Sequence, residues 1–275
     1  MSVELTLEQN NKIELLKKYI AEMGSVAVAF SAGVDSALLL KVAHDTLRDK
    51  AIAITAKLHS IPEKEIAESI EFCKNEGIKQ IIVDIDELRI DGFRENPENR
   101  CYICKKALFT NMLETAKENG IENLIEGSNL DDTGDYRPGR IALNELNIKS
   151  PLKEAGLTKA DIRAAANMYG LREWNKPSLA CLSTRIPYGE LITVEKLKMI
   201  EKGEEKLREM GFEQVRVRAH GNLARIETLP EDIIKAAEPV NSAAINEYFR
   251  SIGFTYVSLD LGGYKTGSMN REIKA

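Results

Sequence analysis

Short apolar runs alternate with helical segments along the first two thirds of the chain, and this alternation restricts the fold more than any other feature. Each run is four to six residues long and rich in Val, Ile and Ala, which is typical of a buried strand. Strands that alternate with helices form a parallel sheet covered on both faces. We therefore predict a doubly wound α/β domain over residues 1–185, with strands at 26–30, 51–56, 80–85 and 123–126 and helices at 5–23, 37–47, 62–76, 101–119 and 158–169. Thr158 and Asp161 have the spacing of a capping box at the start of the last of these helices.

The last third of the chain has a different pattern. Residues 214–219 alternate Val with Arg, which is typical of a half-exposed strand, and helical segments lie on either side. We therefore predict a smaller α+β domain over residues 186–275. Its predicted elements are helices at 193–210 and 230–253 and strands at 214–219, 223–228 and 256–261.

Charge and apolar content exclude several classes of protein. Of the 275 residues, 43% are hydrophobic and 29% are charged, and the formal net charge is −5, which argues against a nucleic-acid partner. No apolar run reaches the length of a membrane span, and the first twenty residues lack the apolar core of a signal peptide. We therefore expect a cytoplasmic protein without a membrane segment, whose four cysteines are thiols or metal ligands rather than disulfides.

The sequence SAGVDS at 31–36 is a polar loop between the first strand and its helix. Ligands of parallel sheets bind at this end of a strand, and helix N–H groups, two hydroxyls and a glycine that permits a tight turn can cradle a phosphate. An aspartate beside that anion fits a bridging Mg²⁺ ion. The loop lacks the lysine of a GxxxxGK[ST] motif and the GxGxxG pattern, and a simple turn that caps the helix is the alternative. The predicted nucleotide ligands are Ser31, Gly33, Val34, Asp35 and Ser36, with Asp35 also catalytic.

The pattern SxGxDS after a buried strand resembles the pyrophosphate loop of the ATP pyrophosphatases, the PP-loop enzymes. These enzymes bind ATP, release pyrophosphate and leave AMP on an oxygen of a substrate. The resemblance therefore implies ATP and Mg²⁺ as cofactors. Ala32 stands where the usual SGGxDS motif has a glycine, which agrees with the resemblance if this position does not need a positive φ.

Six longer stretches run over nearly the whole chain: NPENRCYICK (96–105), EGSNLDDTGDYRPG (126–139), SPLKEAGLTKADIR (150–163), KPSLACLSTRIPYG (176–189), VRVRAHGNLARIE (215–227) and LDLGGYKTGSMN (259–270). Together they resemble one branch of these enzymes, the LarE family of sulfur transferases in nickel-pincer nucleotide biosynthesis. The resemblance implies a pyridinium dicarboxylate mononucleotide as substrate, an acyl-adenylate formed from ATP, and displacement of AMP by a protein-held sulfur to give a thiocarboxylate. It also implies a sulfide donor and a homo-oligomer.

The cysteines distinguish two mechanisms within that family. Some members carry one reactive cysteine at the position of Cys181 and sacrifice its sulfur. This sequence adds Cys101 and Cys104, and two ligands on one helical turn with a distant third form a metal-site pattern. Three thiolates suit a [4Fe–4S] cluster whose open iron can hold sulfide, whereas zinc favours a fourth protein ligand. We therefore predict these three cysteines as cluster ligands and Cys181 as catalytic, with packed thiols as the alternative for the pair and a core thiol at Cys73.

Arginines supply the candidate contacts to the substrate. Arg216 and Arg218 are two residues apart on one predicted strand, so they face the same side and can form a fork for a phosphate. The family resemblance implies that this region binds the phosphate of the mononucleotide, and a solvated strand face is the alternative. Arg185, beside Cys181, is a further predicted substrate ligand, and Arg225 is a weaker candidate.

Polar residues also follow the fourth predicted strand. Asn129, Asp131 and Asp132 can reach ribose, metal or substrate, or can cap a helix, and we predict Asn129 and Asp132 as nucleotide ligands. Arg100 and Lys105 flank the cysteine pair and can attract an anion.

Two other functions fit parts of this pattern. A cluster-dependent tRNA thiolase of the PP-loop class shares the ATP loop and the three cysteines, but the acidic balance and the absence of terminal zinc-finger cysteine pairs count against it. An adenine-nucleotide binding module with a structural zinc site is the alternative that is not an enzyme.

Overall fold

The computed structural model describes residues 4–134, 139–176 and 180–265, so the motif pieces at 135–138, 177–179 and 266–270 lie outside the described residues. The chain divides into two compact units. The first unit comprises the described residues of 1–86 and 101–179. The second comprises those of 87–100 and 180–275.

Residues 87–100 pack with the last third of the chain rather than with the doubly wound part. Asn96 shows why, because its Nδ2 donates to the carbonyl oxygens of Ile186 and Pro187 at 3.1 and 2.6 Å. Asn96 is fully buried, so water does not compete for these hydrogen bonds. The long segment of the second unit begins at residue 180, before the boundary at 185/186 that the sequence pattern suggests.

The sheet of the first unit consists of β1 (Val26–Ala29), β2 (Ala51–Lys57), β3 (Gln80–Asp84) and β4 (Leu124–Ile125). These are the four predicted strands, and they pair in parallel in the order β3-β2-β1-β4. The central strand β1 therefore has β2 on one side and β4 on the other. Since parallel strands end at the same edge, the segments that follow β1 and β4 lie side by side.

Helices cover both faces of this sheet, as predicted. The helices of the first unit are α1 (Leu7–Met23), α2 (Val34–Leu47), α3 (Glu63–Glu76), α4 (Arg100–Glu118), α5 (Gly139–Glu145), α6 (Pro151–Glu154) and α7 (Lys159–Met168), and only the first residue of α4, Arg100, groups with the second unit. Successive residues of β1 point to opposite faces. Val26 and Val28 join a core with residues of α1, α2 and α7, whereas Ala27 joins a second core with residues of α4.

Helix α2 begins at Val34, three residues earlier than predicted, so Asp35 and Ser36 belong to its first turn. Gly33 is the N-cap residue and has an extended backbone (φ −81°, ψ 158°). Glycine has no side chain that could cap the helix, and no other side-chain cap is present. The first N–H groups of α2 therefore remain for a ligand.

The second unit contains β5 (Val215–His220), β6 (Leu223–Thr228), β7 (Tyr256–Leu259), α8 (Val194–Glu209), α9 (Ile233–Ala237) and α10 (Pro239–Ser251). Strands β5 and β6 pair antiparallel as predicted, and β7 joins β6 in parallel. The single helix predicted at 230–253 is wrong, because Glu238 is extended (φ −55°, ψ 139°) and Pro239 starts a new helix. None of the described helices is long and apolar enough to cross a membrane.

The predicted capping box at the start of α7 is confirmed and generates a pH-dependent contribution to stability. Thr158 Oγ accepts from the N–H of Asp161 at 3.2 Å, and Asp161 Oδ2 accepts from the N–H of Thr158 at 3.1 Å. Burial acts to raise the pKa of Asp161, but hydrogen bonds from Lys12 and Thr158 outweigh it and lower that pKa to about 2, from an ordinary value of 3.8.

We expect Asp161→Asn to lower the free energy of unfolding by about 1–2 kcal/mol at pH 7. A carboxyl whose pKa is lowered by folding stabilises the protein above its unfolded pKa, and this stabilisation is lost as the pH falls through the folded pKa. The difference between wild type and variant should therefore shrink as the pH falls from about 4 to about 2. Urea unfolding over this pH range measures it, and a difference that does not change with pH would contradict the assignment.

Candidate active site

The two serines of the loop after β1 bind each other. Ser36 Oγ donates to the carbonyl oxygen of Gly33 at 3.1 Å and accepts from the N–H of Ser31 at 3.2 Å, and the two Oγ atoms are 3.1 Å apart. Ser36 is buried, whereas Ser31 is exposed. Ser36 therefore shapes the loop, and Ser31 offers the hydroxyl that a ligand can reach.

The positive φ angle of this loop is found at Ala32 (54°) and not at Gly33. A left-handed conformation costs a non-glycine residue about 1–2 kcal/mol. Alanine was expected to agree with the motif only if this position did not need a positive φ, and that condition is not met. The Ala32 methyl is buried in the core, and its carbonyl accepts a hydrogen bond from Lys176 Nζ at 3.1 Å, which stabilises this conformation. A Cβ at Gly33 would lie 3.5 Å from Ser31 Oγ, an ordinary contact, so the loop itself does not require glycine there.

The first turn of α2 points its uncapped N–H groups towards the carboxyl edge of the sheet. The Val34 side chain is buried in the core, so its backbone N–H is the group that it can offer to a ligand. The positive end of the dipole of this 14-residue helix adds to these donors. Such an arrangement binds phosphate groups.

Two side chains hold the Asp35 carboxylate. Asn129 Nδ2 donates to Oδ1 at 3.1 Å, and Lys159 Nζ forms an ion pair and a hydrogen bond with Oδ2. The side chains of Asp35 and Lys159 are 23% and 28% exposed, so this ion pair is open to solvent and to ligands. Lys159, the first residue of α7, lies 124 residues from Asp35 in the sequence.

Further hydrogen bonds order the segment after β4. Asp131 Oδ2 accepts from the N–H of Lys159 at 2.7 Å, Asn129 Oδ1 accepts from the N–H of Asp131 at 3.0 Å, and Asp132 Oδ2 accepts from the N–H of Asn129 at 3.0 Å. The sequence left open whether Asp131 binds a ligand or caps a helix, and this hydrogen bond to the first residue of α7 shows that Asp131 caps α7. Asn129 is oriented by the backbone of its own turn and connects that turn to the Asp35 carboxylate.

The four cysteines are free thiols in different surroundings. Cys73 is buried, and this burial raises the pKa of its thiol to about 12, which confirms it as a core thiol. Cys101 and Cys104 are partly exposed in the first turn of α4, three residues apart, so their side chains lie on one face of the helix. Cys181 is partly exposed and lies in the second unit, immediately before the helical turn Leu182–Arg185.

Strand β5 is buried along most of its length, so the predicted half-exposed strand is wrong. The reason is that its arginines interact inside the second unit. Arg218 Nε and Nη2 donate to the two carboxylate oxygens of Glu227 at 3.1 and 2.8 Å, and its Nη1 donates to the carbonyl oxygen of Thr184 at 2.9 Å. Arg216 and Arg218 are each only 5% exposed, which excludes a solvated strand face.

A second buried ion pair lies beside Arg216. Arg185 Nε and Nη2 donate to the two carboxylate oxygens of Glu204 at 2.8 and 3.2 Å. Burial acts to raise the pKa of Glu204, but the charge and hydrogen bonds of Arg185 and the charges of Arg216 and Arg208 together outweigh it, so this pKa is lowered. Burial and the charge of Arg185 also lower the pKa of Arg216, whose guanidinium lies 5.1 Å from the centre of the Tyr264 ring.

The buried charges around β5 do not cancel. Within the described part of the second unit, four positive charges are buried, those of Arg100, Arg185, Arg216 and Arg218, against three negative charges of Glu87, Glu204 and Glu227. An additional anion would lower the energy of this group, because a buried charge is stabilised chiefly by its counter-charges.

Two other arginines bind neighbouring groups of the protein. Arg100 is buried and donates to Asn96 Oδ1 and to the carbonyl oxygen of Ser183, and it lies 5.4 Å from the centre of the Tyr188 ring. These contacts hold Ser183 and Tyr188, and the expectation that Arg100 attracts an anion stays a prediction. Arg225 pairs with Asp260 and is partly exposed.

Sequence reasoning did not identify Lys159, Glu204 or Glu227. Glu227 could have been found, because β6 alternates Arg225 with Glu227 opposite the two arginines of β5, and the antiparallel register places Arg216 directly across from Glu227. Lys159 has a weaker signal, since it follows the helix cap Thr158 in a motif whose role the sequence leaves open.

Gly127 permits the segment after β4 to approach α2, and we expect Gly127→Ala to reduce pyrophosphate release at least about tenfold. A Cβ here would lie 3.1 Å from the backbone N of Ser36 and 3.3 Å from Cβ of Asp35, so the first turn of α2 would have to shift. Small displacements of positioning groups lower rates by large factors. Gly156→Ala is the matched control. Its positive φ (72°) makes alanine costly for the backbone, but no atom lies near enough to be displaced by the added Cβ. Equal rates in the Gly127 variant and wild type would contradict the role of this approach.

Comparisons with known proteins agree with this geometry. A family model described as NAD synthase matches residues 8–108, which include the loop after β1. The chain is 36% identical to the pyridinium-3,5-bisthiocarboxylic acid mononucleotide synthase of Lactiplantibacillus plantarum, over 91% of each protein. It is 41% identical to an uncharacterized protein of Synechocystis sp. over 96% of this chain and 98% of that protein, and 30% identical to one of Methanocaldococcus jannaschii over 88% and 91%. The chain therefore belongs to the LarE family.

Proposed function

We propose that this chain is an ATP-dependent sulfurtransferase that converts a carboxylate of a pyridinium dicarboxylate mononucleotide into a thiocarboxylate. The Lactiplantibacillus plantarum relative is named as the synthase of a pyridinium bisthiocarboxylic acid mononucleotide. One structural observation carries the proposal: the uncapped N-terminus of α2 meets an exposed Ser31 hydroxyl and the Asp35 carboxylate at the carboxyl edge of the sheet. These groups suit the polyphosphate of ATP.

The first step activates the substrate carboxylate. A carboxylate oxygen attacks the α-phosphorus of ATP, the bond from this phosphorus to the oxygen that bridges to the β-phosphate breaks, and pyrophosphate leaves. The N–H groups of α2 and the Ser31 hydroxyl hold the pyrophosphate portion. Asp35 would hold Mg²⁺, which neutralises phosphate charge when it is bound. Asn129, which donates to Asp35, orients that carboxylate.

The second step replaces AMP by sulfur. A hydrosulfide sulfur attacks the acyl carbon, the bond from this carbon to the AMP oxygen breaks, and AMP leaves with the electron pair. The thiocarboxylic acid that remains loses its proton to solvent. An adenylate is a good leaving group, whereas the oxygen of a free carboxylate is a poor one, so the first step makes the second possible.

We further propose that Cys101, Cys104 and Cys181 are the ligands of a [4Fe–4S] cluster, which when bound supplies an open iron site for sulfide. Two observations support this proposal. Cys101 and Cys104 share one helix face, and all three thiols are partly exposed. Cys73 does not fit, because its thiol is buried and resists ionisation at neutral pH.

Arg216 is the proposed contact for the phosphate of the mononucleotide. It lies among buried charges whose sum is positive, so an anion at this place would relieve the repulsion from Arg185. Arg185 and Arg218 each make a two-point contact to a buried glutamate. We propose that they build the positive field of this site.

Cellular context completes the proposal. Four free thiols suit a reducing cytoplasm, and a separate sulfide donor would supply the sulfur. Largely exposed apolar side chains on the second unit, Ile234, Val240 and Leu261, support a homo-oligomer in which a second copy covers them.

Experiments on the cysteines distinguish catalytic sulfur transfer by a cluster from a mechanism that sacrifices the sulfur of Cys181. With anaerobically purified protein, the mononucleotide, Mg–ATP and sulfide, we expect more than one sulfur transferred per chain and an unchanged mass for Cys181. Cys101→Ala, Cys104→Ala and Cys181→Ala should each lose most of the bound iron, because a cluster with one missing ligand is labile. Cys73→Ala, the control, should keep it. At most one sulfur per chain together with loss of H₂S from Cys181 would establish the sacrificial mechanism instead.

Arg216→Met should weaken binding of the mononucleotide about 10- to 100-fold, since a charge-assisted hydrogen bond contributes about 1.5–3 kcal/mol. ATP affinity should stay within about twofold of wild type, and calorimetric titration with each ligand measures both. Arg218→Met serves as the comparison, because it removes the two-point partner of buried Glu227, which keeps Arg225 Nη2 at 3.3 Å, and should lower stability by up to about 3–5 kcal/mol. Unchanged affinity for the mononucleotide in Arg216→Met would refute the assignment.

A further inference from the structure

We infer that Arg100 binds a carboxylate of the mononucleotide through the Nε–Nη2 edge of its guanidinium. The inference rests on the proposed substrate and adds a contact for a ring carboxylate to the phosphate contact at Arg216. Its starting point is a buried charge without a counter-charge. Arg100 is 2% exposed, and no carboxylate of the described residues forms an ion pair with it. A buried charge is stabilised chiefly by its counter-charges, so this place attracts an anion.

The groups that hold the Arg100 side chain are neutral. Its Nη1 donates to Asn96 Oδ1 and, at 3.2 Å, to the carbonyl oxygen of Ser183. The centre of the Tyr188 ring lies 5.4 Å from the guanidinium carbon, a distance at which a cation is attracted to the face of an aromatic ring. These contacts fix the guanidinium in place without neutralising its charge.

The Nε and Nη2 atoms form the free edge of the Arg100 guanidinium. Neither atom has a hydrogen-bond partner within the part of the chain that the structure describes. This edge offers two parallel N–H groups, a geometry that matches the two oxygens of a carboxylate. Arg185 and Arg218 each bind a buried glutamate through the same edge, so the second unit already contains two examples of this contact.

The Ser183 hydroxyl is a third donor without a partner. Ser183 is fully buried, and its Oγ forms no hydrogen bond with any described residue, although its carbonyl oxygen accepts from Arg100. Burial of an unpaired polar group costs about 1–3 kcal/mol, and an acceptor on a ligand would remove this cost. Two N–H groups and one hydroxyl suit a carboxylate, whose two oxygens accept about four hydrogen bonds.

Charge and connectivity distinguish this contact from the phosphate contact. One guanidinium among neutral groups balances the single negative charge of a carboxylate, whereas a phosphate monoester carries almost two. The carbonyl oxygen of Ser183 accepts from Arg100, and that of the next residue, Thr184, accepts from Arg218, which lies on β5 with Arg216. One mononucleotide can therefore reach both places, with one ring carboxylate at Arg100, its phosphate at Arg216 and the other carboxylate left to react with ATP.

The test compares two ligands by calorimetric titration. They are the pyridinium dicarboxylate mononucleotide and nicotinamide mononucleotide, which keeps the pyridinium ring and the phosphate but carries an uncharged carboxamide. Arg100→Met should weaken binding of the dicarboxylate about 10- to 100-fold and leave binding of the carboxamide within about threefold of wild type. Arg216→Met is the matched comparison and should weaken both ligands, because both carry the phosphate. Arg100→Lys should regain only part of the affinity, because it restores the charge without the two-point edge.

Ser183→Ala tests the hydroxyl without removing a buried arginine, and it should weaken binding of the dicarboxylate alone by about 2- to 10-fold. Equal losses for both ligands in Arg100→Met, or unchanged affinity for the dicarboxylate, would overturn the inference, because Arg100 would then only hold Ser183 and Tyr188. If Arg100→Met does not fold, unchanged binding of the dicarboxylate in Ser183→Ala overturns it.

These measurements need neither ATP nor sulfide, so they separate this inference from the proposed activity. A loss that is selective for the carboxylate ligand, in a protein that transfers no sulfur, would refute the activity and leave the contact at Arg100 standing. A wild-type protein that binds neither ligand would refute both.

Discussion

The parallel pairing of β1 with β4 is the constraint on which the candidate ATP site depends. It brings the segments that follow these two strands together, although the paired residues are 97 positions apart in the sequence. The approach is close enough that Gly127 has no room for a Cβ beside the first turn of α2. Because of this approach, Asn129 reaches the Asp35 carboxylate, and the loop after β1 acquires a polar wall that its own six residues do not provide.

The ion pairs of the two units differ in how readily they exchange. The pair between Asp35 and Lys159 is partly exposed, and such pairs contribute only about 0–1 kcal/mol, so a ligand can displace one partner. The pairs of Arg185 with Glu204 and of Arg218 with Glu227 are almost fully buried. Removal of one partner there costs about 3–5 kcal/mol, which makes these pairs permanent parts of the fold. A site that must bind phosphate groups and then release pyrophosphate benefits from a partly exposed ion pair that can exchange partners. A rigid recognition site benefits from buried ion pairs.

The loop after β1 also shows how a motif tolerates an unusual residue. Ala32 adopts the left-handed conformation that glycine adopts without cost. Burial of its methyl group and the hydrogen bond from Lys176 to its carbonyl offset that cost. Lys176 also binds Glu68 on α3, so the loop conformation depends on a helix that lies outside the motif.

The sequence alone determined the features that follow from local patterns. These are the four parallel strands, the polar loop at the end of β1, the capping box at Thr158 and the motifs of the LarE family, because strand alternation, helix caps and motif spacing are written within short segments. Only the tertiary structure decided which charged side chains meet. The partner of Asp35 lies 124 residues away, and the burial of Arg218 depends on the hairpin register that brings Glu227 beside it. Such pairs depend on strand order and register, which no local pattern contains, and the strength of each pair depends on burial, which the whole packed chain decides.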